Sequence, residues 1–299
     1  VKTGGLGLNT GSGIVSATTL GDGTAAFAAT VTFGSTANLA AHGTFTIETE
    51  TDVTATDSLS AWVGSLLGSV GVVHSTVTAN TRSTIDLGGA SLSNQDGDLL
   101  VAAHSNSSLS ASTYQLAISL QAILESEATA TDTSQATIRA EGASLLARNV
   151  LLFSGLDTDG LRGRHQATAH ADTVSEALVS IPVATPRATI SETNQILLTT
   201  RNQGGDFRPT RISSLRDVTL SSVQSELIAV GDGQTIYGLI PWSVGEQSVV
   251  GSHTVTIDPL TFIDAGFDST EVVLIKPVAS SAGTFDTSRF GTLLTRNEK

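Results

Sequence analysis

Hydrophobic and polar residues alternate along much of the first two hundred positions. The alternation is clearest at residues 74–79, 127–131 and 166–169. A period of two places successive side chains on opposite faces of a β-strand, so these segments predict half-buried strands. We expect small aliphatic residues on the inward face and Thr, Ser and His on the outward face, because β-branched side chains fit a pleated surface.

A longer period overlies this alternation. The pair Thr-Ile at 84–85 and the run Gly-Ala-Ser-Leu at 89–92 recur 53 positions later, at 137–138 and 142–145. Self-similarity at a fixed period predicts a stacked repeat architecture. We divide each unit into three coils of about 18 residues, near the lower end of known stacked repeats. The first two hundred residues then predict roughly eleven coils and a rod on the order of 50 Å long.

A helix is the competing interpretation of residues 116–130, where Leu116, Leu120, Ile123 and Leu124 have helical spacing. At the 53-residue step this stretch aligns with residues 62–77, which are rich in glycine, serine and valine and form helices poorly. Because equivalent repeat positions should share one structure, we predict a strand here. For the same reason, Ile85 and Ile138 should occupy equivalent inward positions.

Proline divides the chain into two parts. All six prolines lie at or after Pro182, and a proline-free stretch suits continuous β-ladders. We predict an all-β fold in which residues 1–202 form a parallel β-solenoid and residues 203–299 form a smaller β-rich module or cap. A cap would cover strand edges that otherwise pair with other chains. The candidate strands of this second part are 226–230, 235–239, 253–257 and 271–275.

Composition narrows the class of protein. Aromatic residues make up only 4% of the 299 positions, so a core of Ala, Val, Leu and Ile should be narrow and layered. The net charge is −13 and only three residues are lysine, which argues against nucleic-acid binding and a polybasic membrane patch.

The absence of cysteine excludes disulfides and thiolate metal sites. The most apolar window, residues 62–73, is too short to span a bilayer. Because the chain contains no methionine, we expect it to be a processed product or a segment of a longer protein.

The repeat unit itself has a recognisable order. A glycine- and valine-rich strand leads into a polar strand, a Gly-Ala-x-Leu turn and a Gly-Asp-apolar strand. These four parts lie at residues 68–73, 80–85, 89–92 and 96–103. In this order the chain resembles, over roughly residues 30–200, the β-solenoid repeats of large secreted bacterial adhesins of the filamentous-haemagglutinin and leukotoxin-A-like kind. The resemblance implies a rigid extracellular or cell-surface rod and brings no catalytic residues with it.

Calcium is the first candidate ligand. Asp157 and Asp159 place two carboxylates beside Gly160, and a hard cation requires several oxygens on a tight loop. Asp96 and Asp98 show the same spacing. Asp and Gly also simply form turns. Asp157 and Asp159 are candidate calcium ligands, and we predict no other cofactor.

Histidine and arginine supply the remaining candidates. His165 and His170 are five positions apart, which on a strand puts them on opposite faces. His74 and His104 lie in outward polar strands and should be solvated. Arg162 and Arg164 lie beside Asp157 and Asp159. Polysaccharide lyases on β-helices use calcium held by Asp and a basic residue to neutralise and deprotonate a uronate, so this cluster has the residue types of such an enzyme. No Gly-x-Ser-x-Gly elbow marks a serine nucleophile.

These patterns favour a non-catalytic structural or adhesive segment of a large secreted or cell-surface bacterial protein that assembles into filaments. The expected partners are copies of itself or the continuation of the same long chain, with a host-cell or surface glycan receptor as a further candidate. We expect no nucleic-acid partner and no membrane span. The alternatives are a β-helix polysaccharide lyase or hydrolase, and a segment of a phage fibre.

Overall fold

The computed structural model describes residues 2–21, 26–236, 242–266, 273–276, 281–288 and 293–296. Nineteen strands and no helix occur in these residues. In chain order the strands are β1 (Lys2–Leu20), β2 (Phe27–Thr32), β3 (Asn38–Ala40), β4 (Phe45–Asp86), β5 (Ser91–Asn94), β6 (Leu99–Glu141), β7 (Ser144–Ala147), β8 (Val150–Ser154), β9 (Arg164–Thr199), β10 (Arg201–Gln203), β11 (Asp206–Arg208), β12 (Arg211–Ser214), β13 (Val218–Ser222), β14 (Glu226–Ile236), β15 (Trp242–Ile257), β16 (Phe262–Ala265), β17 (Val273–Lys276), β18 (Ser281–Ser288) and β19 (Leu293–Arg296).

The long strands stack in parallel, which confirms the predicted parallel β-solenoid. The order of neighbours is β1, β4, β6, β9 and then β14 with β15. Ile85 pairs with Ile138, which pairs with Ile196 on the next level, and all three are fully buried. Residues 116–130 lie within β6, so the strand prediction for this stretch is also confirmed.

The predicted coil of 18 residues is wrong, because the 53-residue repeat is one whole coil. Leu92 pairs with Leu145, 53 positions later, and no described ladder links residues about 18 apart. Other steps range from 51 residues, between Leu99 and Val150, to 68, between Val150 and Val218. The described ladder of long strands therefore has five levels instead of eleven, about 20 Å along the stack.

Each coil is long because its strands bend without breaking. β4 and β6 extend over 42 and 43 residues and pair along almost their full length. The outgoing and returning halves of each strand face one another across a thin interior. The register shifts between Gly64 and Gly68, where the strand reverses direction. A glycine there weakens the strand and allows the bend without ending the ladder.

The core has a wide base and a narrow extension. At the base, larger aliphatic residues from three directions pack together, represented by Ile85, Leu92 and Leu99. Along the extension the buried residues are mostly alanine, such as Ala111 and Ala130. Small side chains let the two halves of a coil approach closely. The fully buried residues of both hydrophobic clusters are Ala, Val, Leu and Ile, as the composition predicts.

The strands after residue 202 continue the same ladder. β12, β13 and β14 pair in parallel with β7, β8 and β9, and a β10–β11 hairpin precedes them. β18 and β19 pair antiparallel with β15 and β14 and so provide partners along the last level. Of the strands expected in this part, 226–230 and 253–257 lie in β14 and β15, whereas 235–239 and 271–275 fall partly outside the described residues. Among the described residues no helix is long and apolar enough to cross a bilayer.

Candidate functional site

A buried polar cluster lies between the wide base and the alanine-rich extension. His165, at the start of β9, is fully buried, and its Nδ1 lies 2.8 Å from Asp132 Oδ2 on β6. Ser107 Oγ is 3.0 Å from the same nitrogen and also donates a hydrogen bond to Asp132. On the other side of the ring, Nε2 lies 3.4 Å from Ser105 Oγ and 3.9 Å from Glu192 Oε1. One imidazole thus stands between two buried carboxylates.

The surroundings of His165 favour its protonated form. Desolvation by burial lowers the pKa of His165, but the hydrogen bond and the charge of Asp132 raise it, and Glu192 raises it further. The net effect is a pKa above the ordinary value. Glu192 has other donors as well: the backbone N–H and hydroxyl of Ser225 and the side-chain amide of Asn194. The cluster therefore links β6, β9 and the residue just before β14 through charge-assisted hydrogen bonds.

Asp132, His165 and Ser105 have the residue types of a catalytic triad, with the imidazole between the carboxylate and the hydroxyl. In a triad the nucleophile lies within about 2.6–3.2 Å of the base and is open to substrate. Here the serine–imidazole distance is 3.4 Å, and Ser105 and Asp132 are almost completely buried. A substrate has no route to Ser105 Oγ in this arrangement. This geometry fits a cluster whose hydrogen bonds stabilise the interior of the folded chain.

Sequence reasoning missed this cluster, although one signal was present. His165 shares the parity of Ala167, Ala169 and Ala171, which all face inward. The predicted opposition of His165 and His170 is confirmed, since His170 lies on the outer face with its side chain 41% exposed. The purely aliphatic inward face is wrong: in residues 74–79, Ser75 points inward beside Val77 and Ala79.

The Asp157 loop has the hydrogen bonds of a tight turn. Asp157 Oδ1 accepts the backbone N–H groups of Asp159, at 2.9 Å, and Leu161, at 2.7 Å. The N–H of Gly160 donates to the carbonyl of Asp157 at 3.1 Å, with Gly160 at a φ of 78°. One carboxylate oxygen is thus already used within the loop. Calcium binding by Asp157 and Asp159 stays a prediction.

Arg164, Asp96 and Asp98 already have partners. Arg164 Nε lies 3.7 Å from Glu226 Oε2 on the next level. Asp96 contacts His42 Nδ1 at 2.8 Å, and Asp98 accepts a hydrogen bond from Arg148 Nε at 3.1 Å. These pairs join residues of successive coils, so they fit contacts along the stack.

Two histidines predicted to be solvated differ from one another. His104 is only 5% exposed and lies 3.4 Å from Glu50 Oε1 and 3.8 Å from Glu48 Oε1, so the prediction for His104 is wrong. Its burial depends on neighbouring chain segments that the local alternation does not contain. His74 does face outward, with its side chain 30% exposed.

His74 forms a three-residue cluster with two glutamates. Its Nε2 lies 3.5 Å from Glu125 Oε1, and its Nδ1 lies 3.8 Å from Glu127 Oε2. One ligand atom from each residue can be chosen so that all three lie within 4.8 Å of one another. In the described part of the chain this is the one group of histidine and acidic residues that converges in this way.

A band of exposed apolar residues follows the place where each coil reverses direction. We name it the apolar edge; it comprises Trp62, Leu66, Leu67, Val70, Ile118, Leu120, Ile123, Leu178, Val179 and Ile181. Val70, Ile123 and Ile181 pair along the ladder and form one outward row. Together with Val179 they line a shallow groove of about 590 Å³. Leu178 is 79% exposed. Such contiguous apolar surface is unusual on a soluble protein unless it contacts something.

Comparison with models of protein families, with curated proteins and with solved structures finds no match for this chain.

Proposed function

We propose that this chain is a non-catalytic structural and adhesive segment of a large secreted or cell-surface bacterial protein, and that the apolar edge is the surface through which copies associate. The observation that carries this is the ladder row Val70, Ile123 and Ile181, repeated outward on three successive levels. Because the coils stack in register, an apolar residue exposed at the same position of each coil forms a continuous apolar strip. Burying such a strip against a second copy is favourable by about 25 cal/mol per Å² of apolar area removed from water.

The ends of the stack support association in a second direction. In the described part of the chain, β1 pairs only with β4, so its other edge has no described partner. An edge strand presents backbone N–H and C=O groups that pair with another strand. Lateral contact through the apolar edge and end-to-end contact through β1 would together build filaments or bundles.

The charge around the apolar edge determines how association between copies should depend on salt. Glu125 and Glu176 lie outward among the apolar residues, and the whole chain has a net charge of −13. Two apolar edges in contact bring like charges together. Screening by salt weakens this repulsion, so association should increase between low and physiological ionic strength.

Light scattering at micromolar concentrations tests the association. We expect the mass of the wild-type chain to rise with concentration and with salt. The double variant Ile123→Ser and Ile181→Ser should reduce association, while its stability changes little because both side chains are about half exposed, 56% and 43%. Thr129→Ser, an outward change in the same β6 strand, is the matched control. A strictly monomeric wild type over a wide concentration range would show that the apolar edge does not join copies.

The alternatives make different predictions in parallel experiments. A phage fibre segment should give a stable trimer whose mass is independent of concentration. A polysaccharide lyase should release unsaturated products from acidic polysaccharides, and Asp159→Ala or Arg164→Ala should abolish that turnover. We expect neither result.

A further inference from the structure

The outward cluster of His74, Glu125 and Glu127 has unused coordinating capacity. His74 on β4 pairs directly with Glu127 on β6, and Glu125 is two residues earlier on the same outward face. The nitrogen–oxygen separations of 3.5 and 3.8 Å exceed the 2.7–3.2 Å of an N–H···O hydrogen bond. His74 Nε2 is buried and has no hydrogen-bond partner. The three groups therefore converge without satisfying one another.

The charge of this cluster is also unbalanced. Within the described residues, the ion pairs of Glu125 and Glu127 are those with His74, and no lysine or arginine pairs with either. The nearest outward arginine along β9, Arg187, is paired with Glu246 at 3.3 Å. Glu125 and Glu127 point to the same side of β6, so their like charges repel one another, and a cation bound between them would relieve this repulsion.

We propose that His74, Glu125 and Glu127 bind one divalent transition-metal ion, with Zn²⁺ as the preferred ion. Imidazole suits zinc, and zinc also accepts carboxylate oxygens, whereas calcium and magnesium require oxygen ligands alone. Tetrahedral zinc with bonds of about 2.0–2.1 Å places its ligands roughly 3.4 Å apart. The separation of 3.5 Å between His74 Nε2 and Glu125 Oε1 is close to that value, and one ligand atom from each of the three residues lies within 4.8 Å of the others. Three protein ligands leave the fourth position to water.

The bound ion would join two levels of the solenoid. His74 belongs to β4 and the two glutamates belong to β6, so coordination crosses the ladder between adjacent coils. Glu125 is also two positions from Ile123 on the same outward face, so the ion would lie beside the apolar edge. Zinc binding should therefore stabilise the stack as well as neutralise part of the acidic rim.

Calorimetric titration of the metal-free full chain with Zn²⁺ at pH 7.5 tests the site. We expect one ion per chain and a rise in melting temperature, because a ligand that binds only the folded state stabilises it. His74→Ala, Glu125→Gln and Glu127→Gln should each raise the Kd for Zn²⁺ roughly tenfold or more. His170→Ala is the matched control: His170 also lies near two carboxylates, but it is hydrogen-bonded to Asp172 at 2.9 Å.

The outcomes separate the site from general surface binding. The proposed zinc site would be overturned by an equal loss of zinc affinity in His74→Ala and His170→Ala, or by unchanged affinity in all three cluster variants. Circular dichroism confirms that each variant is folded before titration. Co²⁺ in place of Zn²⁺ gives a second readout, since coordination by nitrogen and oxygen produces a visible absorption that His74→Ala should remove.

Discussion

Replacing His165 with alanine removes the one cationic group between two buried carboxylates. Asp132 and Glu192 would then remain buried without an imidazolium partner. Asp132 is the more vulnerable, since its Oδ1 already has no hydrogen-bond partner, whereas Glu192 keeps its bonds from Ser225 and Asn194. Removing one partner of a buried ion pair costs about 3–5 kcal/mol, and we expect the free energy of unfolding to fall by that amount.

The control for this change is His170→Ala. His170 has the same kind of partner, Asp172 at 2.9 Å, but its side chain is 41% exposed. An exposed pair contributes about 0–1 kcal/mol, so this variant should be nearly as stable as the wild type. Urea denaturation followed by circular dichroism measures both.

The pH dependence gives a sharper test, because it reports the charge on His165. The pKa of His165 is raised by folding, so its contribution to stability is fully present below the ordinary histidine value of 6.5. That contribution is lost as the pH rises through the folded-state pKa. The suitable reference is the double variant Asp132→Asn and His165→Asn. It keeps a hydrogen-bond donor in place of the imidazole Nδ1–H and removes both charges.

We expect the wild type to lose stability relative to this double variant above pH 6.5, with a slope of up to about 1.4 kcal/mol per pH unit. His170 and His253 are present in both proteins, so their contributions to the pH dependence cancel. The pKa of His170 is raised, chiefly by its hydrogen bond to Asp172, and the pKa of His253 is lowered by burial. A difference that stays flat between pH 6 and 9 would refute the view that a protonated His165 stabilises the interior.

Three further changes test the fold and the loop. Ile138→Ala should destabilise the protein by about 2–5 kcal/mol in urea, because this side chain is fully buried in the base. Gly97→Ala should cost about 1–3 kcal/mol, since a Cβ there would lie 1.7 Å from the carbonyl oxygen of Gly43; Gly34→Ala, with open space around it, should be near neutral in the same thermal melts. Asp157→Asn keeps an acceptor for the turn, so its melting temperature should hold, while any calcium-induced shift in that temperature should disappear.

Local patterns in the sequence were enough to predict the parallel solenoid. A period of two predicts strands, and the 53-residue repeat identifies Ile85 and Ile138 as equivalent positions, which the ladder confirms. Equivalence at a fixed step requires the stack to be parallel and nearly in register. The narrow core follows from a chain with few aromatic residues and many alanines.

The size of a coil could not be obtained in this way. A repeat shows which residues lie above one another, but it does not show how many times the chain turns in between. β4 and β6 continue through their corners as single strands, with a register shift between Gly64 and Gly68, so glycine and turn-forming residues in the sequence need not end a strand. The bend at Gly64 and Gly68 depends on the strand above and below it.

The polar sites were decided by tertiary structure for a related reason. Alternation tells which side chains share a face, so His165 could have been assigned to the inward face with its alanine neighbours. That it lies 2.8 Å from Asp132 depends on β6 and β9 being adjacent and on the returning half of β6 facing the outgoing half of β9. His74 and Glu127 likewise become neighbours only through the ladder, since 53 positions separate them in sequence. Contacts between coils arise from stacking, and a single strand contains no information about what is stacked on it.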